Sequence, residues 1–280
     1  MKRKIEEISE TITSPRVAAI QMNSTPDVRD NLAQARHLLE EALRHEPNIV
    51  AFTENMRLLT NDSALIQKSA ESLHGPVVST LREWAAEHDI WLLAGSLPIK
   101  APGGKIYNSS ILFSPEGEIH ARYDKIHLFD VDVEGDQKYL ESKNVKAGTK
   151  VVSTHTPWGT LGLSICYDIR FPELYRKLSS QGAHCLFIPA AFTALTGAAH
   201  WDILTRARAV ENQCFVVAPG QTGSPHPGRE CYGHTRIVDP WGRVVAERPA
   251  GIGVVWADLD YLNMDQIRGR LPALLHRKLK

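Results

Sequence analysis

Apolar positions along the chain fall into two patterns: short continuous runs, and longer stretches at helical spacing. Arg16 to Asn23 is a short apolar run and reads as a buried strand. From Asp30 to Leu43, apolar residues at Leu32, Ala35, Leu38, Leu39 and Leu43 make one helical face, with Asp30 as N-cap. Asn48 to Asn55 predicts a second strand that ends on a carboxylate, Glu54. Val77 to His88 predicts a helix and Ile90 to Ser96 a strand. Lys100 to Lys105 contains Pro-Gly-Gly and predicts a turn between neighbouring strands, Ala94 to Ile99 and Ile106 to Ser114. A second turn at Pro115 to Gly117 leads into a strand-like piece from Ile119 to Lys125.

Phe129 to Gly148 is polar and lacks a period; a loop that long within a compact domain is usually functional or disordered. Val151 to Asp168 reads as a hairpin turning at Pro157 to Gly159, and Phe171 to Gln181 as a helix with Pro172 in its first turn. Then come a strand at Ala183 to Ala190, a helix at His200 to Asn212, and strands at Cys214 to Ala218 and Thr235 to Val238. After a turn at Asp239 to Gly242, strands follow at Arg243 to Glu247 and Gly253 to Asp258. Strands alternating with helices, with hairpins between, predict mixed sheets covered by helices, an α/β or α+β fold. One domain over 16–260 is the simplest organisation. Residues 1–15 read as a flexible lead-in ended by Pro15, and 261–280 as a C-terminal tail, its charge excess from Arg268 to Lys280 solvated.

Charge narrows the function classes. Lys and Arg total 32 and Asp and Glu total 32, so nothing steers toward nucleic acid or an anionic membrane. No apolar run reaches the ~18 residues that span a bilayer. The basic start, Met1 to Ile8, has no apolar core after it, and its glutamates argue against a transit peptide. The 4 cysteines include no Cys-x-x-Cys pair, which argues against a disulfide framework or zinc ribbon and for a reducing, cytoplasmic compartment. There is no Gly-x-Gly-x-x-Gly after a strand, no Walker loop, no His-Glu-x-x-His and no nucleophile elbow at Ser164. The 12 histidines show no metal-ligand spacing.

The stretch Leu161 to Pro172 carries the chemistry. A glycine-spaced apolar run delivers Cys166, and polar and charged residues follow at once. Cys166 is either a nucleophile at a strand end or a small buried hydrophobe; Cys185 and Cys214, in runs that stay apolar, suit the second reading better. A reactive thiol needs a base, a nearby cation and donors for the oxyanion. The N–H of Tyr167 is placed to be such a donor if a turn starts at Cys166. Glu54 and Lys125 each end an apolar run, as base and cation or as solvated strand-end charges. Sheet folds gather such ends along one edge. Glu141, in the long polar stretch, offers a second carboxylate.

Glu54 in Phe-Thr-Glu-Asn, Lys125 in Tyr-Asp-Lys-Ile-His and Cys166 in Ile-Cys-Tyr-Asp-Ile-Arg-Phe-Pro-Glu-Leu together resemble the motifs of the nitrilase superfamily of carbon–nitrogen hydrolases, over roughly Arg16 to Asp260. The resemblance implies a four-layer α-β-β-α sandwich, a Glu-Lys-Cys triad, Glu141 as second active-site glutamate, and homodimers. Lys125 to Val133, Ala191 to Trp201, Arg206 to Asn212 and Tyr232 to Gly242 are most similar to the Nit branch. One arm of that branch resembles deaminated glutathione amidases, the other ω-amidases acting on α-ketoglutaramate. Cys214 to Gly223 is more like the first arm; Ala198, where related sequences often have Pro, departs from the pattern near the presumed pocket.

The implied reaction is hydrolysis of a small carboxylate-bearing amide to acid and ammonia, without metal or cofactor. Cys166 attacks the amide carbon, Lys125 and the Tyr167 N–H hold the oxyanion, and Glu54 moves protons and then activates water on the thioester. Glu141 orients Lys125 or the substrate amide. Arg170 is expected either to grip the substrate carboxylate or to hold the turn by a salt bridge. Thr193, Thr196, His200 and Trp201 are expected to line the pocket, with His200 alternatively a helix cap. A true nitrilase and a non-catalytic partner-binding protein on the same fold are the competing readings.

Overall fold

The computed structural model describes residues 13–279, so most of the predicted lead-in lies outside the described residues. Two mixed sheets form the centre. The first runs, in spatial order, Gly253–Asp258, Arg16–Gln21, Ile49–Ala51, Trp91–Leu93 and Ile106–Phe113; Leu97–Lys100 shares the near edge of Ile106–Phe113 with Trp91–Leu93, and Ile119–Asp124 takes its far edge. The second runs Val244–Arg248, Thr235–Val238, Phe215–Ala218, Cys185–Phe187, Gly159–Leu163, Val152–Thr156. Each sheet has a parallel core: Arg16–Gln21, Ile49–Ala51 and Trp91–Leu93 in one, Gly159–Leu163, Cys185–Phe187 and Phe215–Ala218 in the other.

Side-chain alternation explains why the apolar runs are continuous. Ala18, Ile20, Val50 and Phe52 face the helices Val28–Leu43 and Pro76–Glu87, meeting Leu38, Leu39, Leu81 and Trp84. Val17, Ala19, Ile49 and Ala51, one residue out of step, join the core shared with Leu161, Leu163 and Phe187 of the second sheet. A strand buried on both faces has no polar face to show. The helices Pro172–Ser180 and Ala194–Asn212 cover the second sheet, with Leu174, Tyr175, Leu178 and Trp201 buried. The layers are therefore helix, sheet, sheet, helix, as expected. No helix of the described residues is long and apolar enough to cross a membrane.

Boundaries differ from the sequence reading in instructive ways. Asp27, not Asp30, caps the first helix, its Oδ1 accepting from the N–H groups of Arg29 (2.8 Å) and Asp30 (3.1 Å). The helix expected from His200 starts at Ala194, capped by Thr193. A further helix, Ser63–Ser69, went unpredicted, as did the hairpin Thr222–His226 with Arg229–Tyr232. The predicted tail begins as a helix, Tyr261–Arg270, with Tyr261 and Met264 buried. Arg268 is tied down rather than solvated, donating to the carbonyls of Gln213 (2.9 Å) and Ala183 (3.0 Å).

The two sheets are stitched where the parallel strands end. The Gln221 side chain donates to Ser24 Oγ, Thr53 Oγ1 and the Glu54 carbonyl, and the Thr222 N–H donates to the Met22 carbonyl. Gly95 makes room there. Its φ is +68°, and a Cβ would stand 1.9 Å from the Thr53 carbonyl oxygen. A left-handed Ala costs about 1–2 kcal/mol before any clash, so Gly95→Ala should lower the unfolding free energy by about 2 kcal/mol or more. Urea denaturation checks this; an unchanged midpoint would contradict it.

Candidate active site

Glu54, Lys125, Glu141 and Cys166 come from four separate places in the chain and meet in one cavity of about 320 Å³. Glu54 lies just past the strand Ile49–Ala51 and is 3% exposed. Lys125 follows the strand Ile119–Asp124 and is 2% exposed. Glu141 opens a 3₁₀ turn, Glu141–Lys143, inside the long polar stretch. That stretch is neither free nor featureless. Asp130–Val131 pairs with Tyr139–Leu140, and the Phe129 N–H donates to Glu141 Oε2 at 2.6 Å.

Lys125 Nζ donates to Glu54 Oε1 (2.9 Å) and to both oxygens of Glu141 (3.2 and 3.0 Å). Asn108 Nδ2 bridges the same two carboxylates at 3.0 and 3.2 Å. The other oxygen of Glu54 accepts from the Ala191 N–H at 2.9 Å. Burial alone would push Glu54 up, but the Lys125 ammonium, with smaller help from Cys166 and Arg229, holds its carboxyl below the usual range. Burial pulls Lys125 down, yet the charges of Glu141 and Glu54 raise it well above the ordinary lysine value.

The predicted strand end at Cys166 is a sharp one. The strand closes at Leu163, and Cys166 opens a 3₁₀ turn, Cys166–Arg170. Its φ is +47°, a left-handed conformation that a non-glycine residue adopts at some cost and that concentrates at functional sites. Leading N–H groups of a helix have no partner within it. Here those of Cys166 and Asp168 bond the carbonyls of Pro189 and Ile165, leaving that of Tyr167 without a protein acceptor among the described residues. Burial, reinforced by the Glu54 charge, pushes the Cys166 thiol well above its ordinary value, against the opposing pull of Lys125 and the Ala191 N–H. The shift favours the protonated sulfur beside a carboxylate, an arrangement suited to proton transfer.

Asp168, fully buried, locks the two halves together. Its Oδ2 accepts from Tyr123 OH (2.7 Å) and the Ile165 N–H (2.8 Å), and its Oδ1 from the His127 N–H (3.1 Å) and Nδ1 (2.7 Å). Tyr123 and His127 flank Lys125, while Ile165 precedes Cys166, so one carboxylate fixes the cation relative to the thiol. His127 also stacks on Phe171, with ring centroids 3.7 Å apart.

The expected substrate-contact residues divide. Thr193 and Thr196 line the cavity. Arg170 does not. Side chains at i and i+3 eclipse in a 3₁₀ turn, and its guanidinium stacks over the rings of Tyr167 and Phe192, 5.8 and 5.3 Å from their centroids, behind the wall they form. It makes no salt bridge among the described residues, so the turn-holding ion pair is absent as well. Its Nη1 meets His200 Nδ1 at 3.2 Å. His200 is exposed and lies within the helix rather than at its cap. Trp201 is core, its Nε1 donating to the His234 carbonyl at 2.9 Å.

Sequence reasoning missed Asn108, Asp168 and Arg229. Arg229 lines the cavity, donates through Nη2 to the Ala191 carbonyl, and lies over the Tyr139 ring at 5.1 Å. Asp168 carried a signal, a carboxylate two residues after the cysteine, just past the end of an apolar run. Among the described residues, no group of three or more His, Cys, Asp or Glu side chains converges to hold a metal ion.

The family model described as carbon–nitrogen hydrolase matches residues 16–268. A Synechocystis protein named deaminated glutathione amidase is 42% identical over 264 residues, covering 93% of this chain and 97% of its own. The Caenorhabditis elegans NitFhit structure matches with TM-score 0.88 at 37% identity, over 95% of this chain and 65% of that one. Saccharomyces cerevisiae Nit3, a member of branch 10 of the nitrilase superfamily, matches with TM-score 0.86 at 31% identity, over 97% of this chain and 99% of that one.

Asp168→Asn sets an N–H₂ group against donors. It should cost about 3 kcal/mol of stability, read by urea denaturation; a loss below ~0.5 kcal/mol would show that the brace carries little.

Proposed function

Since the chain belongs to the carbon–nitrogen hydrolase family, we propose that it hydrolyses a small carboxylate-bearing amide with Cys166 as nucleophile, and that deaminated glutathione is the substrate. The observation that carries this reading is the buried Glu54–Lys125–Glu141 cluster, which shares one cavity with Cys166. The Synechocystis relative's name supports the substrate.

Glu54 takes the Cys166 proton as the sulfur attacks the amide carbon. The C=O electron pair moves to oxygen, and the Lys125 ammonium and the Tyr167 N–H hold that oxyanion. Collapse breaks the C–N bond, with Glu54 returning the proton to the departing nitrogen, and a thioester remains. Glu54 then removes a proton from water, and hydroxide addition releases acid and thiol. Splitting one difficult step into two easier ones is the gain of covalent catalysis. Glu141 and Asn108 hold Lys125 and Glu54 in place. Thr193 and Thr196 serve the substrate from the cavity wall.

The leaving group depends on the substrate. Deaminated glutathione contains only secondary amides, so its cleavage releases an amine, and the ammonia expectation applies to primary amides such as α-ketoglutaramate. Wild-type protein should release free amine from deaminated glutathione faster, in kcat/KM, than ammonia from α-ketoglutaramate. The reverse order would make it an ω-amidase. A nitrile turned over faster than its amide would make it a nitrilase, and no turnover of any of them would favour a binding protein. Cys166→Ala should reduce release by at least ~10³-fold while leaving the fold intact by circular dichroism.

The ionisation directions set the pH profile. Glu54 stays ionised until the pH falls below the ordinary carboxylate range, and Cys166 and Lys125 keep their protons above theirs. Activity of wild-type protein should therefore be level from about pH 5 to 8, falling only below ~4.3 and above ~8.5. A kcat/KM profile with an acid limb near pH 6–7 would contradict the assignment of Glu54 as base.

A cytoplasmic homodimer completes the reading. The cysteines are free. Ile203 and Val210, seven residues apart on one helix, are 66% and 49% exposed, and Trp241 is 54% exposed; apolar side chains left in water mark interaction surfaces.

A further inference from the structure

We infer that Asn108 is a positioning residue that leaves Oε2 of Glu54 as the one carboxylate oxygen in the site with room for the Cys166 proton. This rests on the amide-hydrolase reading above and names how that site assigns its proton transfer.

Each carboxylate oxygen has two lone pairs to offer. Glu54 Oε1 spends both, on Lys125 Nζ at 2.9 Å and Asn108 Nδ2 at 3.0 Å. Glu141 Oε1 does the same with Asn108 Nδ2 and Lys125 Nζ, both at 3.2 Å. Glu141 Oε2 takes Lys125 Nζ at 3.0 Å and the Phe129 N–H at 2.6 Å. Among the described residues, Glu54 Oε2 accepts only the Ala191 N–H, at 2.9 Å. Its second lone pair is open, and it lies on the sulfur's side: the same Ala191 N–H eases the Cys166 thiol downward, so it stands beside both groups. Without Asn108, Glu54 Oε1 and Glu141 Oε1 would each regain a seat where a proton could rest away from the thiol.

Asn108 lies in the strand Ile106–Phe113 and is buried. Its Oδ1 has no hydrogen-bond partner. Turning the amide over would set that oxygen against two carboxylates, so only one orientation fits. A buried acceptor left unpaired calls for a reason, and the two carboxylates bridged by Nδ2 supply it. The backbone serves the same end. The Asn108 carbonyl accepts the Lys125 N–H at 2.9 Å, so one residue fixes the cation's main chain and spans the cation's two partners.

The groups that face Glu54 are Lys125, Cys166 and Arg229, with Glu141 beyond Lys125. Neither cation stands ready to replace the Asn108 bond. Lys125 is already on both carboxylates, and Arg229 donates to the Ala191 carbonyl instead. Hydrogen bonds to a carboxylate favour its charged form, so loss of Asn108 raises the pH at which Glu54 takes up a proton.

Alkylation of Cys166 by iodoacetamide, followed by intact mass with Cys166→Ala protein as the blank, reads the proton transfer without turnover. The sulfur sheds its proton as it reacts, so the rate tracks ionised Glu54. In wild-type protein the rate should hold level from about pH 7 down to ~4.3. Asn108→Leu should raise the acid limb by at least ~0.5 pH unit, and Asn108→Ser, too short to bridge both carboxylates, should do the same. Should the leucine protein fail to fold by circular dichroism, the serine protein decides on the same threshold. For an amide that wild-type protein turns over, Asn108→Leu should cut kcat more at about pH 5 than at about pH 7 and change KM less than ~3-fold. An acid limb that moves less than this, whether the rate falls evenly at every pH or not at all, would overturn the inference. Failure of the enzyme reading looks different: wild-type protein turns over no amide, while the alkylation limb still moves with Asn108.

Discussion

A lysine ammonium taken almost wholly out of water is the constraint on which the site depends. Alone, such a charge costs several kcal/mol to bury. Lys125 is tolerated because Glu54 and Glu141, from separate segments of the chain, both meet it. That demand reaches well beyond three side chains. It requires the long polar segment to be folded inward, with Glu141 held by the Phe129 N–H, and it requires the strand after Ala51 to stop where Glu54 can turn into the cavity. Removing Lys125 would leave two buried carboxylates facing each other, whereas removing either carboxylate leaves Lys125 with one partner.

Asp168 extends the same logic to Cys166. Four donors converge on it from both sides of the site, so the left-handed turn at Cys166 is held from outside rather than by its own preference. Ala191 does the equivalent for Glu54 and Arg229, using the two polar groups of one peptide backbone. Cys166 and Glu54 are thereby tied to backbone atoms just past the ends of parallel strands.

Much of this was legible in sequence because doubly buried strands leave a plain signature. An apolar run that ends abruptly on a charge, as at Glu54 and Lys125, has few structural reasons to do so. Other residues left no such mark. Asn108 sits in Asn-Ser-Ser, which reads as the polar face of an ordinary strand, although the strand is buried on both faces. The hairpin bearing Arg229 is rich in Pro and Gly and interrupted by a register shift, so no period announces it. The first turn of the helix at Ala194 holds small residues, and Gly197 is needed there because a Cβ would collide with Tyr232. Arg170 misled for the opposite reason: nearness in sequence to the cysteine suggested nearness in space, and the geometry of a 3₁₀ turn sent its side chain elsewhere.

The protonated state of Cys166 bears on durability. Peroxide and other soft oxidants attack thiolates far more readily than thiols, and susceptibility follows thiolate character and exposure. A cysteine that is 7% exposed and faces a carboxylate offers neither. In the mechanism we propose, its nucleophilicity exists only while a carbonyl is present to accept the electron pair as Glu54 accepts the proton. A sulfur kept in the protonated form is attacked by oxidants only slowly.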